Sequence, residues 1–529
     1  MIRKIINGIV CDGEGGKPFL GGLEIENGRI SRVFYGPSRD VGSDVIDARG
    51  QYITPGFIDI HRHHDLCALY DASFGELEIA QGITTVVGGN CGLAAFPNSD
   101  RTREAQFRYI EPCLGKMPET NMHLFSEYMD ALAKKPLSIN VTSLVGAGAC
   151  ATAAMGYESR PMSEAERAQA VAYVEDAMKA GAVGLSFGIM YEPECWLSHE
   201  DQVAMARMCA KYGGVVTCHM RGEGDSLVES VREIIEICKE AGARLEISHF
   251  KATGVRNWGS RIDEAIEVIE AARAEGVDVT CDAYPYTGGA TTALSLIPPV
   301  VLEGHDLSYL GTKEGAEKLR AEIMKKQDGW DNMVESIGWE RTVISGVTLE
   351  KNRWVCGKNV AQIAKELGLE DPCEWFGRLV AEEEGKIGVI IMSMSAEDVD
   401  KVLKLPYCTV ISDGLYGGGS NPHPRLYGAF PKMIREYVVE RSIMPIEEAI
   451  YKMTALPAQR ISLKDRGVLK AGMAADINVF ALDAIRDKAT FADSKQLAEG
   501  ISYTLIGGEI AAKDSRLVKG GSGRVLRAR

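Results

Sequence analysis

Residues 226–250 read SLVESVREIIEICKEAGARLEISHF, and the architecture follows from how this stretch is parsed. Val228, Val231, Ile235 and Cys238 recur at the spacing of one helix face. Ser226 and Glu229 have the S-x-x-E spacing of a capping box, and Gly242 stands where such a helix stops. The apolar run RLEISHF that follows is short enough to be a strand. The same unit recurs outward in both directions. IDEAIEVIEAARAEG (262–276) precedes VDVTCDAY (277–284), and SEAERAQAVAYVEDAMKAG (163–181), with Ser163 and Glu166 as its capping box, precedes AVGLSFG (182–188). Alternating strands and helices call for parallel strands joined by right-handed crossovers.

About eight candidate strands end near His61, Cys91, Gly146, Gly188, His219, His249, Tyr284 and Asp413. That count predicts an α/β fold of the (β/α)8 TIM barrel type over residues 55–468. A long gap at about 295–405 predicts an insertion whose helices cover the barrel mouth. A doubly wound open sheet is the alternative, but no glycine-rich phosphate loop follows the early strands. Both chain ends differ from this middle. EIENGRISRVFYG (24–36) has an Asn-Gly hairpin signal, and GMAADINVFALD (472–483) and SYTLIGGEIAAK (502–513) are strand–turn patterns. Residues 1–54 and 469–529 are therefore expected to form one small composite β-sandwich.

Composition narrows the function classes. Hydrophobic content of 45% and charged content of 25% are those of a globular protein, and the formal charge is −15 with no basic block. Nucleic acid and anionic membrane are poor partners for such a chain. No apolar run approaches the roughly 18–20 residues of a membrane span. The alternating N-terminus MIRKIINGIVCDG reads as a strand, not a signal peptide. Thirteen cysteines without CxxC spacing argue against a disulfide framework and for a reducing cytoplasm. The oligomeric state is left open.

The polar residues of interest sit at strand ends. His61 and His63 follow GFIDI, Cys91 follows ITTVVGGN, His219 closes GVVTCH, His249 closes LEISH and Asp413 closes CTVISD. In a parallel barrel all such ends share one face. Imidazole, thiolate and carboxylate are zinc ligands, and an open coordination position marks a catalytic site. Residues i and i+2 of a strand share a face, so His61 and His63 can reach one metal, with Arg62 expected to point outward. His64 has the wrong parity and is set aside as a neighbour. Taken singly, each histidine is more often a hydrogen-bonded structural residue, Cys91 a packed thiol and Asp413 a turn residue; their coincidence at one face is the signal. His123, His199 and His305 sit in helix or loop context and are read as structural.

The set PGFIDIHRHHD (55–65), GITTVVGGNCG (82–92), HMRGEGD (219–225), ISHFKATGVRNWG (247–259), DAYPYTGGATT (282–292) and SDGLYGGGSNPHPRLYGAFPKMI (412–434) resembles the N-acyl-D-amino acid deacylases, or D-aminoacylases, of the amidohydrolase superfamily. The resemblance runs to the closing GRVLRAR. It implies zinc held by Cys91, His219 and His249, with His61 and His63 at a second, weaker metal position. The fourth strand reads VGLSFG, without the lysine that bridges two metals in many amidohydrolases, so Cys91 takes the bridging place. Whether one or two ions are needed stays open. Zinc of this kind lowers the pKa of its water from about 15.7 to ~7 and polarises a carbonyl. Asp413 would be the general base and then the acid, and Lys251, Tyr284 and Arg425 would bind the substrate carboxylate. Two departures bear on side-chain preference: His64 replaces the first of two acidic residues usual after HxH, and Ala290 lacks a hydroxyl that some members carry. The resulting expectation is zinc-dependent hydrolysis of N-acyl-D-amino acids. A cyclic-amide hydrolase of the dihydroorotase or hydantoinase type is the first alternative, and a non-catalytic binding protein on the same fold the second.

Overall fold

The computed structural model describes residues 1–303, 305–326, 331–417, 419 and 421–528. Its centre consists of short parallel strands, buried throughout except at Arg244: β1 (Phe57–Asp59), β2 (Ile83–Gly88), β3 (Asn140–Ser143), β4 (Gly184–Gly188), β5 (Val215–His219), β6 (Arg244–Ile247), β7 (Val279–Ala283) and β8 (Cys408–Val410). Burial on both faces explains why they read as apolar runs and not as alternating ones. β1, β2 and β3 pair in parallel, with Asp59 opposite Val86 and Gly88 opposite Ser143. Directly after β3, Val145–Gly146 begins a second parallel ladder that continues through β4, β5, β6 and β7 to β8. Beyond β8, Gly414–Leu415 lies parallel to Arg62–His63. Each predicted strand end falls within three residues of an observed one.

Helices Glu164–Lys179, His199–Lys211, Leu227–Ala241 and Ser260–Ala274 follow these strands. Ser163 caps the first as expected, accepting from the Glu166 amide while Glu166 accepts from the Ser163 amide at 2.8 Å. Ser226 departs from expectation. It stands at the N-cap position, but its hydroxyl makes no cap bond and donates to Asp331 Oδ1 at 3.1 Å. A carboxylate brought in from the insertion outcompetes the local amide.

Both chain ends meet in one nine-stranded sheet, in which Tyr52–Pro55 pairs antiparallel with Ile477–Phe480. The predicted hairpin turns through Asn27 and Gly28, both at positive φ (52° and 75°), as a primed two-residue turn requires. The segment between β7 and β8 carries a three-stranded antiparallel sheet of Gly289–Thr292, Gly388–Ile391 and Thr342–Gly346. It packs around its own core, which includes Trp339, Phe376 and Leu379. Among the described residues no helix is long and apolar enough to cross a membrane.

Arg62 corrects a second expectation. It turns away from the histidines beside it, yet not to solvent: it is fully buried. Its guanidinium meets Asp59 Oδ2 at 3.2 Å, Glu78 Oε1 at 2.7 Å, Ser412 Oγ at 3.0 Å and Tyr416 Oη at 2.8 Å. Two buried carboxylates thus depend on one cation that ties the end of β1 to the segment after β8. Removing one partner of a buried ion pair costs about 3–5 kcal/mol. Arg62→Ala is expected to be destabilised by that amount, seen as a lowered thermal midpoint; an unchanged midpoint would deny Arg62 this role.

Candidate active site

Three residues of the site leave their strands in the left-handed region: Cys91 (φ 55°), His249 (φ 35°) and Asp413 (φ 50°). A non-glycine residue held there costs of order 1–3 kcal/mol, and such positions cluster at functional sites. The turn that carries Cys91 is held from several sides. Asn90 Nδ2 donates to Ile60 O, Arg62 O and Val87 O at 3.1–3.4 Å. Gly92 N donates to Ser186 Oγ at 3.0 Å. A side chain at Gly92 would meet the buried carboxyl of Glu194, which accepts from Gly188 N at 2.9 Å.

The strand ends bring all six expected chemistry-bearing residues together, each buried. Cys91 Sγ lies 3.3 Å from His61 Nε2 and 3.6 Å from His249 Nε2. Donor atoms of His61, His63 and Cys91 lie mutually within 4.8 Å, as do those of Cys91, His219 and His249, and those of His61, His249 and Asp413. Cys91 belongs to two of these groups. Such sets of imidazole, thiolate and carboxylate suit a zinc-type ion. Asp413 Oδ1 stands 3.4 Å from His63 Nε2 and 3.6 Å from His61 Nε2, close enough to contact the same ion.

Carboxylates behind the histidines orient their rings. His61 Nδ1 is 3.4 Å from Asp282 Oδ2, and His249 Nδ1 is 2.9 Å from Glu223 Oε1. Both leave Nε2 facing Cys91, the arrangement that outer partners of metal-bound histidines enforce. Burial lowers the His61 imidazole to about 3 and holds His219 well below its ordinary range, so both are neutral and can act as ligands. Burial opposes ionisation of Asp413, but the Arg425 guanidinium outweighs it and holds the carboxyl well below the usual range. Arg425 Nη2 lies 2.9 Å from Asp413 Oδ2, and the guanidinium stacks 4.5 Å from the Tyr284 ring.

Lys251, Tyr284 and Arg425 line one cavity together with His63, Cys91, His219, His249 and Asp413. Lys251 is not idle there: its ammonium meets Glu223 Oε1 at 2.5 Å. Glu223 and Asp282 were not anticipated. Glu223, four residues after His219 in HMRGEGD, offered a faint signal; Asp282 offered none, because it lies inside a buried strand. His64 lies outside the donor groups, stacked 5.3 Å from Phe74. His123 bonds Asn98, His199 pairs with Glu240, and His305 stacks on Tyr309.

Glu194 supplies a pH test of the Cys91 turn. Burial lifts its carboxyl to about 8, against the amides of Gly188 and Gly148. Between its unfolded value of about 4.3 and about 8, the folded state binds the extra proton, so stability falls as pH rises through that window. Glu194→Gln removes this loss. Its thermal midpoint relative to the wild type is expected to rise from pH 5 to pH 8, and a constant difference would show that Glu194 ionises normally.

Comparison with known proteins gives two family matches, both described as amidohydrolase family, over residues 52–287 and 340–512. A D-aminoacylase of Alcaligenes xylosoxydans xylosoxydans is 30% identical over 99% of this chain and 96% of its own length. An N-acyl-D-glutamate deacylase of the same organism is 31% identical over 95% of this chain and 92% of its own. In structure, the N-acyl-D-glutamate deacylase of Bordetella bronchiseptica, solved with zinc and a phosphonate mimic of the tetrahedral intermediate, superposes with a TM-score of 0.83 at 31% identity, covering 99% of both chains. Identity at this level along essentially the whole length places the chain in the N-acyl-D-amino acid deacylase, or D-aminoacylase, family of amidohydrolases.

Proposed function

We propose that this chain hydrolyses the amide bond of N-acyl-D-amino acids, releasing a carboxylate and a free D-amino acid. The observation that carries the reading is the meeting of two donor groups through Cys91, with Asp413 beside them and Arg425 and Lys251 in the same cavity. Zinc fits these residues. Nδ1 of His63 and Nδ1 of His219 are buried without a hydrogen-bond partner among the described residues, and ligation is one way such nitrogens are satisfied. Cys91, His219 and His249 would hold the tighter ion, and His61 and His63 a weaker second, with Cys91 shared between them. When bound, zinc supplies Lewis acidity toward a carbonyl and acidifies water.

The protein's own groups account for the remaining steps. Arg425, Tyr284 and Lys251 take the substrate α-carboxylate, Arg425 by its planar fork. Asp413, ionised and aimed at the donor cluster, accepts the proton of the attacking water and passes it to the leaving amine nitrogen. Arg425 lies against the base, so one guanidinium joins carboxylate recognition to the state of Asp413. This carboxylate-binding set favours a linear acyl amino acid over a ring amide.

The order of strands supports a closed (β/α)8 barrel. The ladder from β1 to β3 resumes at Val145–Gly146, and Gly414–Leu415 returns it to Arg62–His63. We assign residues 55–468 to this catalytic unit, with the insertion at about 295–405 as a cover. Residues 1–54 and 469–529 form a composite β domain of sandwich type. Thirteen free cysteines suit a reducing compartment, and we place the protein in the cytoplasm as an enzyme of small molecules.

Asp413→Asn is expected to keep zinc while turnover falls by about 10² to 10⁴, and Cys91→Ala to lose zinc on dialysis. Metal analysis beside assays of N-acetyl D- and L-amino acids checks both. Activity confined to L substrates or to ring amides would overturn the assignment.

A further inference from the structure

Lys251 and Arg425 are the two lysine or arginine side chains among the described residues lining the cavity, and each already faces a carboxylate, Glu223 at 2.5 Å and Asp413 at 2.9 Å. The substrate α-carboxylate joins this balanced set and draws on both cations. Among the described residues the rest of the wall brings no further lysine or arginine to a second carboxylate, only neutral donors such as the hydroxyls of Thr253, Thr291 and Ser393. Met333, Ile391 and Ser393 of the insertion, with Ala290 and Thr291 just before it, line part of that wall. Leu93, Cys113, Met190, Tyr191 and Leu415 line it as well. A substrate side chain therefore meets methyl, thioether, ring or hydroxyl groups whichever wall it faces.

We infer that the substrates carry apolar side chains, of the D-leucine, D-methionine and D-phenylalanine kind, and that D-glutamate and D-aspartate derivatives are rejected. This rests on the reading of the chain as an N-acyl-D-amino acid deacylase, and it separates the chain from its relative named for N-acyl-D-glutamate. Burying a carboxylate without a counter-charge is strongly unfavourable, whereas an apolar side chain gains by leaving water. Because Met333 and Ile391 belong to the insertion, which has its own core, that wall can set selectivity apart from the donor cluster.

The test is kcat/KM of metal-analysed protein for N-acetyl-D-leucine, -D-methionine, -D-glutamate and -D-aspartate. The apolar pair is expected to exceed the acidic pair by about 100-fold. A ratio below about 10-fold would overturn the inference while leaving the deacylase reading intact. Hydrolysis of no N-acyl-D-amino acid at all would overturn that reading and the inference with it. Met333 is half-buried, so Met333→Arg adds a cation to the insertion wall without opening a core. In that variant the glutamate-to-leucine ratio is expected to rise by about 10-fold or more; an unchanged ratio would overturn the assignment of selectivity to the neutral wall.

Discussion

Burying an ion costs several kcal/mol unless opposite charge and hydrogen bonds meet it, and the region around this cavity buries several carboxylates. Asp413 is met by Arg425, Glu223 by Lys251, and Asp59 and Glu78 by Arg62. Much of the local structure follows from that requirement. Glu78 lies 16 residues from Arg62 and Glu223 lies 28 from Lys251, so these pairs tie separate segments together as well as neutralising charge, whereas Asp59 is a near neighbour of Arg62. Asp282, like Glu194 beneath the Cys91 turn, is an exception. Asp282 has amide and imidazole neighbours but no lysine or arginine partner among the described residues, and burial raises its carboxyl above the ordinary range. Its contacts are His61 and the backbone of His249, the two histidines whose rings approach Cys91.

Pairing also affects substrate recognition. A cation already balanced by a carboxylate is a weaker attractor than a free one, but it is held in place before any ligand arrives. Arg425 is fully buried, ion-paired on one edge and stacked over Tyr284, so little side-chain entropy remains to be lost when a carboxylate binds.

How much of this was legible in the sequence depended on distance along the chain. The strand ends could be read because fully buried parallel strands are apolar runs that stop abruptly at a polar residue, as at His219 and His249. Parity separated His63 from His64, and the structure places their rings apart. What could not be read were partners supplied from afar. Ser226 looks like a cap, but Asp331, 105 residues away, takes its hydroxyl. Arg62 looks like an outward-facing residue because nothing near it announces Ser412 and Tyr416, more than 300 residues on. Lys251 looks like a free carboxylate ligand until Glu223, 28 residues earlier, is folded against it.

The pairing of Tyr52–Pro55 with Ile477–Phe480 has a consequence for how the protein is made. On the ribosome the first segment emerges hundreds of residues before the strand that completes its ladder. Contacts of such separation are slow to form, because a long loop must be closed first. The N-terminal strands therefore spend most of synthesis with an open edge, exposed to pairing with other chains. The strands from β1 to β7 follow one another more closely and can assemble as they appear, with β8 joining once the long segment after β7 has been made. Maturation is thus expected to run from the catalytic middle outward, with the joining of the two ends as its last and most aggregation-prone event.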